Sequence, residues 1–588
     1  MASPSQVIPA TLPAAAERPT ARKSARSWWK ILLGLSLVGL LVWEITTSFT
    51  QAHLFTTFAR KAQYRVAAGP AAEAQPAPQG PYDQRLGYAR MDAFRQRLGE
   101  RGYEIDRQAR WSDGLKQISA FGLFLPFEEK TRAGLLMRGR DGSALREEMW
   151  PQRVYREFHE VPDVVWQSLL YIENRELLSD VSPFRNPAVE WDRLGSAVVG
   201  AGKKLVDPGQ ASAGGSTLAT QLEKVRHSPG GRTASANEKV RQMLSASLRA
   251  YQDGPRTRGS RERIVKDYIN SLPLGSAKGY GEVIGLGDAL WAWYGTEFGY
   301  ANGLLRRARE RDLDAATLRE VASVYRQSLG MLLAVNRPGY YLQTPAALNE
   351  RVENYLRLLA REGIIPAQLR DAALRARPVM LDAAPKVKMA GFASRKAIDS
   401  TRAALLDLLG VENVYALDRL DLTVDSPLDA RTTQEVADAL AAFRLEGVPS
   451  SLLLNFSLYE RTEGMNVLRV QADNLDRPLN LNEGTKLELG STAKLRTLAT
   501  YLLVLERLHW RLSDKDAETW RSLANGPNDT LTRWVAQYLV DHPRGELQPM
   551  LELAMQREFS ASPGEGFFTG GGLHVFANFQ SADNGRVM

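Results

Sequence analysis

The sequence predicts a multi-domain chain: one transmembrane helix, then a mainly helical domain, then a mixed α/β domain. Three observations predict it. An apolar run follows a basic amino-terminal tail, apolar residues recur at steps of three and four from Val161 to about residue 375, and strand-like runs cluster between about 380 and 480. With 588 residues, the chain has room for several domains at roughly 100 to 200 residues each. Its 44% apolar and 24% charged content matches globular usage and excludes a largely disordered protein. The absence of cysteine excludes a disulfide scaffold, thiolate metal ligands and a cysteine nucleophile together.

Residues 1–30 form a basic, cytoplasmic tail. Arg18, Arg22, Lys23, Arg26 and Lys30 against Glu17 give it +4 of the net +8 that 75 Lys and Arg leave over 67 Asp and Glu. A nucleic-acid binder concentrates cations in a folded domain, so no nucleic-acid partner is expected. Ile31 to Trp43 is uninterruptedly apolar, and counting from Trp28 to Phe49 reaches the roughly 20 residues a span needs, with Glu44 near the far interface. The rival is a cleaved signal peptide, against which stand the long leader and the lack of an Ala-x-Ala site. Cations before residues 28–49 outnumber Arg60, Lys61 and Arg65 after them. This orientation leaves the bulk of the chain on the periplasmic or extracellular side of the inner (cytoplasmic) membrane.

Residues 50–81 read as a linker, because Ala67 to Pro81 is almost all Ala, Pro, Gly, Gln and Glu. Residues 82–155 read as a small α/β pedestal in which Ala133 to Arg146 forms a hairpin around Asp141-Gly142. The helical domain spans 156–375, with Val165, Leu169 and Ile172 on one face and Trp191, Leu194, Val198, Ala201 and Leu205 on another. Residues 376–588 form the α/β domain, with strands at Leu420 to Val424, Ser451 to Leu458 and Met465 to Gln471 and a helix at Leu495 to Leu508.

The chemistry starts with Glu173, which closes the apolar face of its helix. A carboxylate there is partly desolvated and suited to take a proton from a sugar hydroxyl. Gly214-Gly215-Ser216-Thr217 then opens a helix carrying Gln221 and Lys224, where backbone amides, hydroxyls and an amine can hold a phosphate. Ser216 is equally suited to cap that helix. Lys239 and Arg241 follow, then Arg263, Lys266, Tyr268 and Asn270 on a further helix. A base, a glycine-led anion turn and several cations in one helical domain beside a membrane are what transfer of a sugar from a lipid-linked diphosphate requires.

Residues from about 160 to 365 resemble the family 51 glycosyltransferase domain of class A penicillin-binding proteins and monofunctional transglycosylases. The resemblance implies a mainly α, lysozyme-like fold that polymerises lipid II with inversion at the anomeric carbon. The first motif opens with Glu-Asp, and Glu173-Asn174 sits in its place, making Glu173 the general base. Ser216, Thr217, Gln221, Leu222 and Lys224 match the second motif, and Arg263, Ile264, Tyr268 and Asn270 match a helix motif ending Ile-x-x-x-Tyr-x-Asn. Arg351 matches the arginine of the late helical motif. The implied substrate-binding set is Ser216, Thr217, Gln221, Lys224, Lys239, Arg263, Tyr268, Asn270 and Arg351. Implied partners are lipid II and the growing glycan strand, the membrane, and other cell-wall synthesis proteins.

The chain departs from the motifs at several positions. Asn174 replaces Asp, Leu177 and Asp180 replace Phe and His, Ala219 and Thr220 replace Thr and Gln, and Gln242 takes the place of the second carboxylate, in Glu238-Lys239-Val240-Arg241-Gln242. If that carboxylate organises a divalent cation such as Mg2+, an amide keeps the hydrogen bonds and loses the charge. Catalysis is then slow, metal-independent or absent, and the alternative function is a cell-wall assembly scaffold that keeps the fold. A lytic enzyme would need Glu173 as an acid, a role for which the sequence gives no reason.

Asp425-Ser426-Pro427 and Gly490-Ser491-Thr492-Ala493-Lys494 resemble the start of a penicillin-binding transpeptidase domain, with Ser491 as nucleophile and Lys494 as base one turn away. No Ser-x-Asn or Lys-Thr-Gly follows before Met588, so the domain reads as incomplete and Ser491 is expected not to acylate efficiently with a β-lactam. The six histidines show no metal-ligand spacing. Trp291, Trp293 and Tyr294 read as helix core, and the Trp191 to Leu205 stretch as either core or a membrane-contacting face.

Overall fold

The computed structural model describes residues 22–73, 75–190, 216–386, 395–444, 451–477, 479–482, 490, 493–558, 562, 564–569 and 572–575. The chain forms two compact units, Met1–Glu483 and Gly484–Met588.

The segment expected to span is two helices with a bend between them. Helix α1 (Arg22–Thr47) stops at Ser48, whose φ of 57° is left-handed, and α2 (Phe49–Lys61) begins immediately after it. Among the described residues no single helix is long and apolar enough to cross a membrane. The pair Leu32–Thr47 and Phe49–Lys61, bent by 60°, meets the requirement of length and composition together. Glu44 explains the break. Its carboxylate accepts the Thr50 and Gln51 N–H groups at 2.8 and 3.0 Å, two of the donors that the first turn of α2 leaves unpaired. Ser182 Oγ donates to Thr47 O at 2.6 Å, and the Asn186 N–H reaches Ser48 Oγ at 3.3 Å. Large apolar residues of α1 such as Leu33, Leu35 and Leu40 are exposed, while α2 turns Ala52, Thr56 and Ala59 onto the body.

The expected linker at 50–81 is therefore structured over much of its length. After α2, strand β1 (Tyr64–Ala68) pairs antiparallel with β2 (Arg107–Trp111). Composition signalled a spacer only from Ala67 onward, and the preceding residues carry the helix and the strand.

The expected hairpin is present as β3 (Ala133–Arg138) and β4 (Ala144–Trp150). Its partner is not local. Strand β7 (Leu422–Asp425) pairs parallel with β3, placing Leu135 beside Leu422 and giving a sheet of order β4-β3-β7. Leu135 and Met137 are fully buried and share a core with Phe94, Leu405, Leu409, Leu417 and Leu420. Pedestal and early α/β segment thus share one sheet and one core, although the helical domain separates them in sequence. A central strand needs a partner on both edges, and β4 supplies only one.

Between these halves lies the helical core. It comprises α3 (Asp163–Glu173), α4 (Leu218–His227), α5 (Ala236–Ala250), α6 (Arg258–Ser271), the hairpin β5 (Pro273–Ala277) and β6 (Gly281–Ile284), α7 (Leu286–Tyr294), α8 (Phe298–Arg306), α9 (Ala315–Ala334), α10 (Pro345–Arg361) and α11 (Ala367–Arg375). Helix α9 is central, being buried at nearly every position from Val321 to Ala334, as expected for a helix apolar on all sides. Its one buried charge, Arg326, is bound by Glu353 at 3.2 Å, Asn349 Oδ1 at 3.0 Å and Ala373 O at 2.8 Å. Trp291, Trp293 and Tyr294 close α7 at Gly295, and Trp293 and Tyr294 pack on this core as predicted. The Trp191 to Leu205 stretch lies outside the described residues.

The first unit continues through α12 (Lys396–Leu409), α13 (Ala430–Ala442) and the antiparallel pair β8 (Asn455–Thr462) and β9 (Met465–Asp473). A buried ion pair, Lys396 to Asp473 at 3.2 Å, ties α12 to β9. The second unit contains α14 (Ala493–Ser513), α15 (Ala517–Asn525), α16 (Thr530–Asp541), α17 (Leu547–Ala554) and the short hairpin β10 (Gly566–Thr569) and β11 (Gly572–Val575). Its core is Leu505, Leu512, Trp520, Val535, Leu539 and Met550.

Candidate active site

The site is built where α3 ends and α4 begins. The apolar face of α3 places Val165 and Leu169 in the core, so its last residue, Glu173, emerges half-buried at the edge of that core. Glu173 Oε2 accepts Gln221 Nε2 at 3.0 Å and Oε1 accepts Asn336 Nδ2 at 3.3 Å. Tyr268, buried on α6, donates its hydroxyl to Gln221 Oε1 at 3.0 Å. Burial first, and the Glu173 charge second, raise the Tyr268 pKa far above the usual phenol value, so the hydroxyl keeps its proton.

Helix α4 starts with a reciprocal cap. Thr217 Oγ1 accepts the Thr220 N–H at 3.3 Å while the Thr217 N–H reaches Thr220 Oγ1 at 3.0 Å. The capping residue is Thr217, where the sequence pointed to Ser216. Thr220, one of the departures from the motif, supplies the other half of the box. Ser216 is left to Lys239, whose Nζ donates to its Oγ at 2.7 Å and lies 3.4 Å from Thr220 Oγ1. Burial, with the nearby Lys224 charge, lowers the Lys239 pKa to about 8. Burial also lowers Lys224, which the Glu173 carboxylate partly offsets. Two half-buried amines, a hydroxyl and a helix start thus gather beside one carboxylate, which favours binding an anion next to a base.

The remaining predicted residues divide. Gln242 is 1% exposed and its amide bonds Ser228 Oγ at 3.0 Å and Thr233 Oγ1 at 3.0 Å, with Ser228 also donating to Glu238. Arg263 pairs with Asp253 at 2.6 Å on an exposed face. Asn270 is buried and uses both amide atoms on the Tyr155 backbone, at 3.0 and 2.7 Å, which fastens the approach to α3. Arg351 donates to Tyr341 Oη at 3.1 Å and lies over the Tyr341 and Tyr355 rings. Lys494 is exposed in the first turn of α14, and Ser491 lies outside the described residues.

Sequence reading missed Asn336, which follows α9 in a segment with no motif. It also missed Asn174's partner: the amide Nδ2 donates to Glu190 while Oδ1 accepts the Leu218 N–H at 3.1 Å. Behind α4, the Glu129 carboxylate is largely buried against Arg226, Arg249 and His227. These contacts pin the pedestal to the helices that carry Lys224 and Lys239.

The described residues around Glu173 offer few ligands to a divalent cation. Hard cations take several oxygen ligands, chiefly carboxylates. Both Glu173 oxygens instead meet amide N–H donors, and among the described residues no group of three or more His, Cys, Asp or Glu could hold a metal ion.

Residues 141–359 match the family model described as Transglycosylase, the glycosyltransferase family 51 domain. No curated protein matches the chain. The matched stretch contains α3 to α9 and nearly all of α10, and with them Glu173, Lys224 and Lys239; it supports a peptidoglycan transglycosylase acting on lipid II and the glycan strand.

Proposed function

We propose, for a chain whose residues 141–359 match the transglycosylase family, that it polymerises lipid II from a membrane anchor with Glu173 as general base and inversion at the anomeric carbon. The observation that carries this reading is the Glu173 carboxylate beside the Ser216, Lys224 and Lys239 cluster on one helix start. Glu173 takes the proton of the acceptor hydroxyl, whose oxygen bonds the anomeric carbon of the donor. The bond to the lipid diphosphate breaks, and the departing diphosphate keeps the electron pair. Lys239, Lys224 and the positive end of the α4 dipole offset its charge. Gln221 and Asn336 hold the carboxylate in place while it acts.

The anchor is the α1–α2 pair, whose exposed apolar residues from Leu32 to Val42 suit a bilayer. An anchor there with a cytoplasmic amino terminus supports a site at the outer face of the cytoplasmic membrane, where lipid-linked substrate and other cell-wall synthesis proteins are met. Ser491 and Lys494 belong to a separate candidate acyl-transfer site.

The test is lipid II polymerisation by the detergent-solubilised full chain. Glu173→Gln should lower the rate by about 10² to 10⁴ while lipid II binding stays within threefold. Equal rates would remove Glu173 from the mechanism. Binding without polymerisation in the parent would turn the reading to an assembly scaffold.

A further inference from the structure

We infer that Glu190 is a positioning residue of the Glu173 site, acting through Asn174 as one half of a matched carboxylate and amide pair. Asn174 directly follows Glu173 and is 1% exposed. Its two ends have different partners: Nδ2 donates to Glu190 Oε1, and Oδ1 accepts the Leu218 N–H at 3.1 Å. Leu218 is the first residue of α4, and its N–H has no acceptor within the helix. An amide can turn over by half a rotation, and the donor at 218 and the acceptor at 190 both select the orientation that presents Oδ1 to α4.

Glu173 and Asn174, adjacent in sequence, therefore both fasten the end of α3 to α4. Asn174 takes the first N–H of α4, and Glu173 takes Gln221 one turn along. Releasing the first contact shifts the second, because α4 is rigid over one turn. A carboxylate at 174 could still accept from Leu218, but it has no proton for Glu190 and would set two carboxylates against each other in a buried place. The asparagine is thus required by the glutamate. Exchanging the two groups, carboxylate at 174 and amide at 190, preserves both hydrogen bonds.

The positioning role rests on reading Glu173 as the acting carboxylate, whereas the pairing does not, so two readouts are used on the full chain. One is hydrogen exchange of the peptide covering residues 216–222, and the other is the polymerisation rate. Asn174→Asp should speed exchange at the start of α4 at least tenfold and lower kcat at least tenfold, with KM for lipid II within threefold. Glu190→Gln should change either by less than threefold, because its carbonyl still accepts from Asn174. Asn174→Asp with Glu190→Gln should return both readouts to within threefold of the parent.

A fall in kcat at unchanged KM is what a merely structural role would not give, and rescue by the second change ties that fall to the pair. Unaltered exchange in Asn174→Asp, or a double variant no better than Asn174→Asp, overturns the inference. If Asn174→Asp does not fold, Glu190→Ala serves instead: it should loosen the same amides without burying a new charge, and unchanged exchange there overturns the pairing. A parent inert in polymerisation but showing the full exchange pattern sinks the polymerase reading and leaves the pair standing.

Discussion

Gln221 donates to the Glu173 carboxylate at 3.0 Å, and Tyr268 holds the other end of the same amide. The Tyr268 hydroxyl donates to Gln221 Oε1 at 3.0 Å, so the nitrogen end must face Glu173. Tyr268→Phe keeps the buried ring and removes one of the two contacts that orient and hold the amide. Polymerisation should fall by about tenfold to a hundredfold, and stability by about 1 kcal/mol. Assays at matched folded fraction check this, and a full-rate variant would mean that Gln221 is oriented by something else.

Lys239 should set an alkaline limit on activity. Its pKa lies near 8, because burial and then the charge of Lys224 disfavour the ammonium. As pH rises through that value the free enzyme loses a cation at the anion site. A bound diphosphate would hold the proton on, so the limb belongs in kcat/KM more than in kcat. Lys239→Arg stays charged across the range and should remove the limb. A pH profile with the same limb in both proteins rules out Lys239 as its source.

His227 should make stability depend on pH in the opposite half of the scale from carboxylates. Its Nδ1 lies 3.1 Å from Asp83 Oδ2 and its Nε2 faces Glu129 Oε1, so both nitrogens must carry protons. Burial alone would pull its pKa down, but the Glu129 charge and the hydrogen bonds to Asp83 and Glu129 outweigh it and raise the value to about 9. A raised pKa in the folded state stabilises fully below the unfolded value near 6.5 and loses that stabilisation as pH climbs through about 9. The loss is on the order of 3 kcal/mol. Urea midpoints measured from pH 6 to 10 should decline in the parent and flatten in His227→Gln; parallel curves would contradict the assignment.

Gln242→Glu tests whether the missing carboxylate limits the enzyme. The sequence comparison alone suggests that restoring it raises the rate or creates a response to a divalent ion. The structure argues otherwise, because position 242 is 1% exposed and shares Ser228 with Glu238. A second carboxylate there is buried beside the first. The variant should lose about 1 to 3 kcal/mol and show no gain in polymerisation with Mg2+. Stimulation by the metal would restore the view that 242 is a catalytic position.

Much of the local architecture follows from residues close together in the chain. The steps of three and four from Val165 to Ile172, the turn at Asp141-Gly142, the alternating runs that became β8 and β9 and the helix that became α14 are all matters of propensity and pattern within a few residues. The motif residues Glu173, Ser216, Gln221, Lys224 and Lys239 could likewise be picked out, because a base and an anion-binding helix start need particular residue types in sequence order. Partners could not. Asn174 meets Glu190 across 16 positions, Glu173 meets Gln221 across 48 and Asn336 across 163. Only packing of α3, α4, α6 and the end of α9 brings these groups within reach. The same holds for β7 beside β3, which merges the pedestal with the segment after the helical core, and for Gln242, whose motif position said catalysis while its burial gave its amide to Ser228 and Thr233. Propensity acts through each residue's own backbone, whereas burial and hydrogen-bond pairing depend on what the rest of the chain brings to the same place, and that distribution is decided by the tertiary fold.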